Sequence, residues 1–348
     1  MLSRLSRRQP FAFGLASVGA WGMGRLAQAQ GRIPQEPLLS ARQSPFRRVA
    51  SLTTLTADIL YRLAPDRLVG IPASRLLEED PRFQGLTRLG LGNQPNLEQL
   101  VALQPDWVVG ASGFHEALAE RLQELGIPIY LTRVDSWAAL EETIATLAAA
   151  LGADPDPLLR QYGSLLPQEL PRVRPKTLLL VGTQPILSPN RQSWAGDLLE
   201  RFGADNLTAT LQSQGPFRGY VTLSAERILE ANPEVLLVVN PEAADPLAFF
   251  RSRPFWNRLQ AVQTGKVYGF DYYGLVNPGT LEKIRAACEQ LARVFLRWDR
   301  GAVNAVFPIR GKGIPPLCIN HNLAMPKSHS SLRSVTPTTK VNGSSSLG

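Results

Sequence analysis

Residues 96–109 read NLEQLVALQPDWVV, and a closely similar stretch, SAERILEANPEVLLVV, occupies residues 224–239. In each stretch a helix-capping residue precedes a short amphipathic segment, a proline ends that segment, and an apolar run typical of a buried strand follows. The acidic residue near the start is also shared, since Glu98 matches Glu226. This helix–Pro–strand repeat predicts a chain with two similarly built halves.

Strand-like and helix-like segments alternate around both copies of the repeat. The alternation is typical of a mostly parallel sheet that is covered by helices on both faces. Between the halves, residues 136–170 are rich in alanine and leucine and contain no strand pattern, with one irregularity at 152–157. We therefore predict an α/β fold of two Rossmann-like lobes, each with a mostly parallel sheet flanked by helices, joined by a long helix. Strands are expected at 47–52, 66–71, 106–112, 127–132, 176–183, 234–240 and 267–271.

The chain ends carry signals of another kind. Residues 1–29 combine a basic start, an apolar run and a small-x-small site at Ala27-Gln28-Ala29, which predicts an export signal peptide. The motif Ser6-Arg7-Arg8 leaves both twin-arginine and Sec export open. No cysteine follows the cleavage site, so a lipoprotein anchor is not expected. The full predicted organisation is a signal peptide at 1–29, a linker at 30–46, an N-terminal lobe at 47–135, a connecting helix at 136–173, a C-terminal lobe at 174–298 and a disordered tail at 311–348.

The excess positive charge lies near the two ends of the chain and not in the predicted lobes. The 348 residues carry a formal charge of +8. Residues 1–30 and 311–348 each contain four basic residues and no acid, which accounts for the whole excess. The residues between these two ends carry no net charge, so net charge gives no indication that they bind nucleic acid. Of the two cysteines, Cys288 has the helical spacing of a core residue and Cys318 lies in the tail, so they make no disulfide framework, although a bridge between them stays open.

Several stretches together resemble the helical-backbone (class III) periplasmic substrate-binding proteins of ABC importers. This group includes proteins that bind ferric siderophores, vitamin B12 and haem. The resemblance extends over residues 47–298. It rests on NLEQLVALQPD with its apolar strand, and on RVASLTTLTADILYRLAPDRLVGI, LLERFGADNL, LSAERILEANPEVLLVV and FWNRLQAVQTGKVYGFD. It implies an exported monomer that captures a ligand between its lobes and delivers it to an ABC permease/ATPase complex.

The same resemblance implies a role for the shared glutamates. The family docks onto its permease through one exposed acidic residue on each lobe, and Glu98 and Glu226 occupy those positions. One carboxylate per lobe could pair with arginines of a two-fold permease. A plainer interpretation is compatible with this one, because glutamate in the first turn of a helix is favoured by the helix dipole.

Ligand-binding candidates follow from the predicted topology. Open α/β sheets bind ligands beyond the carboxyl ends of their strands, so the loops there are expected to form two facing walls. In the first lobe these loops contain Thr53 and Thr54, Ser74 and Arg75, Ser112 to His115, and Arg133 to Trp137. In the second lobe they contain Gln184, Arg191, Trp194, Phe217, Arg218, Tyr220, Tyr272 and Tyr273.

The candidate residues favour a metal chelate as the ligand. Arginine forks suit anionic chelates such as ferric siderophores, and aromatic walls suit flat macrocycles or catechol rings. His115 is the only histidine of the predicted lobes, whereas a bare zinc or manganese site needs three or four ligands. A metal that is already wrapped in a chelate is therefore preferred, and His115 as a haem ligand is a further hypothesis.

Catalysis is disfavoured by the motifs. The chain contains no G-x-S-x-G, no P-loop, no H-E-x-x-H and no G-x-G-x-x-G after a strand. We therefore expect no catalytic residue, no metal site and no resident cofactor, and we interpret the chain as a periplasmic binding protein. A cobalamin- or haem-binding protein of the same type and a two-lobed chelatase-like enzyme remain as alternatives.

Overall fold

The computed structural model describes residues 46–213, 218–239, 245, 247–296 and 298. The predicted signal peptide, nearly all of the predicted linker and the predicted tail, with Cys318, lie outside these residues. In the described part of the chain, no helix has the length and apolar character that a membrane span requires.

The first lobe is built on a six-stranded sheet in the order β4-β3-β2-β1-β5-β6. All neighbouring strands run parallel except β3 and β4, which are antiparallel. Its strands are β1 (Val49–Ser51), β2 (Leu68–Ala73), β3 (Thr87–Leu91), β4 (Gln94–Pro95), β5 (Trp107–Ala111) and β6 (Ile129–Thr132). The helices between them are α1 (Thr54–Leu63), α2 (Arg75–Glu78), α3 (Leu97–Ala102) and α4 (Glu116–Glu124).

Two helices follow, α5 (Trp137–Leu151) and α6 (Asp156–Gly163). Ser136 caps the start of α5 through its side chain, and Gly152 ends α5 in the left-handed conformation with φ 61°. A left-handed C-terminal residue favours glycine because it has no Cβ. The break at Gly152 is the irregularity that the sequence indicated.

The second lobe contains a second sheet in the order β10-β8-β7-β11-β12, with β9 paired to β7. Its centre is parallel, since β7, β11 and β12 run in one direction, and β8 is antiparallel to both neighbours. The strands are β7 (Lys176–Val181), β8 (Leu187–Pro189), β9 (Asp205–Asn206), β10 (Tyr220–Thr222), β11 (Val235–Val239) and β12 (Val267–Gly269). The helices are α7 (Trp194–Arg201), α8 (Ala225–Ala231), α9 (Ala248–Arg251), α10 (Gln260–Gln263), α11 (Tyr272–Leu275) and α12 (Leu281–Phe295).

The two copies of the helix–Pro–strand repeat have the same local geometry. The residue before each proline takes an unusual positive φ, 47° at Gln104 and 36° at Asn232. The acidic residue after each proline then binds the start of the neighbouring strand. Asp106 accepts from the backbone N–H of Arg48 at 3.0 Å, and Glu234 accepts from the backbone N–H of Lys176 at 2.8 Å.

Asp106 and Glu234 are therefore equivalent in structure as well as in sequence. In both lobes the acidic residue fixes where the central strand begins against its neighbour. The predicted α/β fold with two mostly parallel sheets is confirmed, and the repeat is its local signature.

A single apolar core joins the lobes. It contains side chains from the inner face of each sheet and from α1, α5, α7 and α12, whereas two smaller clusters cover the outer faces of the sheets. Cys288 of α12 is part of the shared core, as its spacing predicted. Burial raises the pKa of the Cys288 thiol to about 12. Because the core is continuous, the lobes are held by packing and not only by the chain between them.

Charged residues tie the lobes together beside this core. Asp58 of α1 is fully buried and accepts hydrogen bonds from Arg62 Nε and from Arg82 Nη2, each at 3.0 Å. It also accepts from the backbone N–H of Leu281 at 3.0 Å, which is the first residue of α12 in the second lobe. Glu282 completes the group through its ion pair with Arg62. We name Asp58, Arg62, Arg82 and Glu282 the Asp58 cluster.

Candidate functional site

The loops after β1 and β2 bring several predicted site residues together. Thr53 caps α1 by accepting from the backbone N–H of Thr56. Thr54 Oγ1 donates to Ser74 Oγ at 3.1 Å, which links the two loops. Arg75 extends from the start of α2 and is exposed, with Glu79 at 2.8 Å from its Nε. These loops therefore bring three half-buried hydroxyl groups and one exposed guanidinium group to the carboxyl edge of the first sheet.

His115 is not free to bind a ligand. Its side chain is 2% exposed. The Nδ1 atom accepts from the backbone N–H of Ala111 at 2.9 Å, so Nε2 carries the proton and donates to the carbonyl of Gly92 at 2.5 Å. Since both ring nitrogens have partners within the protein, His115 is a structural residue that joins two loops of the first lobe. Neither ring nitrogen is therefore free for the predicted role of a haem ligand.

The other residues of this loop stay accessible. Ser112 and Gly113 both donate to the carboxylate of Glu116. The Gly113 N–H is the main reason that the pKa of Glu116 lies below its ordinary value. Arg133 is exposed, and its Nη2 donates to Ser112 Oγ at 2.8 Å. The loop after β5 therefore binds one acid, Glu116, and contacts one exposed guanidinium group from the loop after β6.

An apolar surface was missed by the sequence analysis. Phe114 is 71% exposed and Leu91 is 60% exposed. Leu91 precedes Gly92, whose carbonyl binds His115, so the two exposed side chains come from loops that His115 holds together. Phe114 lies within the predicted range Ser112 to His115, whereas Leu91 was not among the candidates. An exposed phenylalanine on a strand-end loop is a common feature of ligand contacts.

Two predicted ligand residues are part of the core. Trp137 and Trp194 are 1% and 3% exposed, and their rings stack with centroids 5.7 Å apart and planes 14° apart. Trp194 Nε1 donates to the carbonyl of Gly274 at 2.9 Å, and the backbone N–H of Trp137 donates to Asp197 at 2.8 Å. The prediction that these tryptophans line the ligand site is corrected, because they pack α5 against α7.

The tyrosines of the second lobe form a partly buried group. Tyr272 and Tyr273 pack edge to face with ring centroids 5.3 Å apart. Burial raises the pKa of Tyr220, and the nearby Tyr272 raises it further. Burial also raises the pKa of Tyr272 itself. The phenols of Tyr220 and Tyr272 are therefore protonated at neutral pH.

Tyr273 lies close to the first lobe. A Cβ atom built on Gly279 would be 3.2 Å from Cδ1 of Tyr273 and 3.4 Å from Cδ1 of Leu76, which belongs to α2. Tyr273 of the second lobe therefore lies near α2 of the first lobe. Glycine at this position lets them approach.

The remaining candidates of the second lobe are exposed. Gln184 lies in the turn between β7 and β8. Arg191 and Arg218 lie on either side of a hollow of about 450 Å³. Phe217 lies outside the described residues.

The two docking candidates occupy equivalent positions. Glu98 is the second residue of α3 and Glu226 the second residue of α8, and both side chains are exposed. Hydrogen bonds from Ser224 and from its own backbone N–H lower the pKa of Glu226. Both residues therefore present a carboxylate at the start of a helix, where the dipole also favours it.

Within the described ranges, no three side chains of histidine, cysteine, aspartate or glutamate come together as a metal site. The accessible groups of the site are instead hydroxyls, guanidinium groups and aromatic rings. Such groups recognise an organic ligand by contact and hydrogen bonding.

Comparisons with known proteins agree with this architecture. The family described as "Periplasmic binding protein" matches residues 49–273, more than half of the chain. A vitamin B12-binding protein of Yersinia pseudotuberculosis is 25% identical over 276 residues, which cover 74% of this chain and 90% of that protein.

Solved structures share the fold. An ABC transporter substrate-binding protein from Listeria monocytogenes superposes with a TM-score of 0.60 at 20% identity, covering 74% of this chain and all of that one (100%). The periplasmic haem-binding protein HutB of Vibrio cholerae gives a TM-score of 0.57 at 19% identity, with coverage of 70% and 98%. All three of these proteins are described as binding proteins. The chain belongs to the periplasmic binding protein family.

Proposed function

We propose that this protein is the exported substrate-binding component of an ABC importer, and that it carries a metal chelate, a ferric siderophore in particular, from the periplasm to a membrane permease. The observation that carries the proposal is the chemistry of the strand-end loops. The first lobe exposes Phe114 and Arg133 there, and the second lobe adds Arg191 and Arg218. Aromatic and cationic groups on two facing lobes suit a ligand with rings and negative charge.

The ligand is expected to arrive with its metal already coordinated. His115 has no free nitrogen, and the described part of the chain holds no cluster of metal-ligating side chains. A corrinoid is a second candidate, because a vitamin B12-binding protein is among the relatives and a corrinoid also encloses its metal.

Isothermal titration calorimetry of the purified protein tests this proposal. The ligands would be a ferric catecholate, a ferric hydroxamate, a ferric citrate-type chelate, haemin and cobalamin. Calorimetry is preferable to tryptophan quenching, because four of the six tryptophans, Trp107, Trp137, Trp194 and Trp256, are buried in the protein. We expect one iron chelate to bind at a ratio of one to one and to be recovered unchanged. Tight binding of cobalamin alone would favour the second candidate, and conversion of any ligand over many turnovers would contradict a binding function.

We propose that Glu98 and Glu226 are the residues through which the protein docks onto the permease. Reversing both charges (Glu98→Arg with Glu226→Arg) is expected to abolish uptake of the chelate by cells and to leave its affinity unchanged. The matched control reverses Glu124 and Glu230, two exposed glutamates on α4 and α8. Normal uptake in the Glu98/Glu226 variant would contradict the docking assignment.

A further inference from the structure

The Arg191–Arg218 hollow is a basic recess in the second lobe, formed by three short stretches of chain. Its volume is about 450 Å³, which is within the range of pockets that hold small ligands. None of its lining residues is acidic, and most of the others carry amide or hydroxyl groups. The lining consists of Asn190, Arg191, Gln192, Ala209, Thr210, Leu211, Gln212, Ser213 and Arg218.

Asn190 holds these stretches in place. Its side chain is buried, and its Nδ2 donates to the carbonyl of Leu211 at 2.8 Å and to Ser213 Oγ at 3.2 Å. Its backbone N–H donates to the carbonyl of Gly219 at 2.8 Å. Ser213 Oγ in turn accepts from the N–H of Gly219 at 2.9 Å. These hydrogen bonds connect the described stretches that line the hollow before any ligand arrives.

Among the described residues, neither arginine at the hollow has a side-chain partner. Arg191 and Arg218 are exposed, and within the described ranges neither guanidinium group has an ion pair or a hydrogen bond with another residue. Two positive charges thus lie at one recess that contains no acid. A planar guanidinium group matches a carboxylate in a bidentate geometry, and the neighbouring amides and hydroxyls can donate to the same anion.

Residues close in sequence to the two arginines pack against the connecting helix or belong to the tyrosine group. Trp194, three residues after Arg191, stacks on Trp137 at the start of α5. Tyr220, two residues after Arg218, lies near Tyr272, which packs against Tyr273. The two arginines are therefore close in sequence to predicted ligand-site residues of the second lobe.

We infer that the Arg191–Arg218 hollow binds carboxylate groups of the transported chelate, so that the protein selects anionic iron chelates of the carboxylate type over neutral ones. The inference rests on the proposed function and specifies its substrate class. Neutral hydroxamate chelates have no carboxylate to place in this recess.

The test compares two double variants of the full chain by calorimetry. Arg191→Gln with Arg218→Gln removes both charges at the hollow. Arg121→Gln with Arg227→Gln removes two exposed charges from α4 and α8 and serves as the control for net charge. The ligands are a ferric citrate-type chelate, citrate alone, inorganic phosphate and a neutral ferric trihydroxamate.

We expect the hollow variant to bind the ferric citrate-type chelate at least about tenfold more weakly than the unmodified protein, since charge-assisted hydrogen bonds are lost. Its affinity for the neutral chelate, and the affinities of the control variant, should change by less than about twofold. Urea denaturation of the same samples should show unchanged stability, since the two side chains have no partners in the part of the chain that the structure describes.

Three results would overturn the inference and leave the proposed function standing: an anionic chelate that binds equally well to the hollow variant, an equal loss in the control variant, or a preference for the neutral chelate. If phosphate binds as tightly as citrate, the hollow is not selective for carboxylate groups, and that part of the inference is overturned. If no iron chelate binds but citrate does so through the two arginines, the proposed function fails and the carboxylate site stands.

Discussion

The Asp58 cluster and the Arg191–Arg218 hollow each contain two arginines, but the arginines have different surroundings. In the cluster, Arg62 and Arg82 both donate to a buried carboxylate. Arg191 and Arg218 are two of the residues that line the hollow, and none of the lining residues is acidic. The cluster lies between the lobes and is satisfied from within the protein, whereas the hollow is open to an external partner.

The arginine side chain therefore has different roles in the cluster and in the hollow. A buried carboxylate such as Asp58 contributes to folding only while its partners remain, because an unpaired buried charge is costly. An exposed arginine without a partner contributes little to folding, and its charge stays available for a ligand. Substitutions in the cluster should therefore change stability, and substitutions in the hollow should change affinity.

The largest stability effect is expected at Asp58. Asp58→Asn removes the negative charge that Arg62 and Arg82 share, and we expect the free energy of unfolding to fall by about 3 kcal/mol. Urea denaturation followed by circular dichroism measures this change. The control is Asp66→Asn, which changes an exposed aspartate shortly after the end of α1. It should change the free energy of unfolding by less than about 0.5 kcal/mol. Equal effects of the two substitutions would mean that the cluster does not hold the lobes together.

A smaller effect is expected at the stacked tryptophans. Trp194→Phe removes the N–H that binds the carbonyl of Gly274 and reduces the stacked area on Trp137. We expect the free energy of unfolding to fall by about 1–2 kcal/mol. Chelate affinity should stay within about twofold, because the ring is buried. A large loss of affinity with unchanged stability would restore Trp194 to the ligand site.

The smallest effect is a pH dependence of stability. Burial acts to raise the pKa values of Asp80 and Glu282, but hydrogen bonds from Arg82 and Arg62 respectively outweigh it and lower both below the ordinary values of 3.8 and 4.5. A carboxyl group with a lowered folded-state pKa stabilises the protein above its unfolded-state pKa, and this contribution is lost as the pH falls through the folded-state value.

We therefore expect the unmodified protein to lose more stability between about pH 5 and about pH 3 than a variant with Asp80→Asn and Glu282→Gln. The difference should be below about 1 kcal/mol, since Glu282 is largely exposed and its ion pairs are screened by solvent. Urea midpoints measured across this range provide the comparison. Parallel pH profiles for the two proteins would show that these pairs add nothing to stability.

The central elements of both lobes were predictable from sequence. The strands β5 and β11 are uniform apolar runs, and the proline before each one marks where the helix ends. The long helices α5 and α12 have clear amphipathic patterns and polar N-terminal caps. The short elements were not predictable, because β4 and β9 have two residues each and carry no periodicity.

The candidate site was predicted less well, because the exposure of a loop residue depends on distant contacts. Trp137 and Trp194 follow polar capping residues in loops that were expected to face a ligand, yet they are buried against each other. His115 donates a hydrogen bond to the carbonyl of Gly92. Gly92 lies in a different loop, and no sequence pattern indicated that the two loops are in contact. Arg191 and Arg218 were both identified, but the hollow beside them depends on the buried Asn190.

Hydrogen–deuterium exchange of the purified protein, with and without a saturating anionic ferric chelate, tests the central claim most directly. We predict slower exchange in strand-end loops of both lobes, at residues 111–115 of the first and at residues 190–192 and 270–273 of the second. Exchange in α12, which packs into the shared core, should stay the same. Slower exchange in only one lobe, or none in these loops, would contradict capture of the chelate between the lobes.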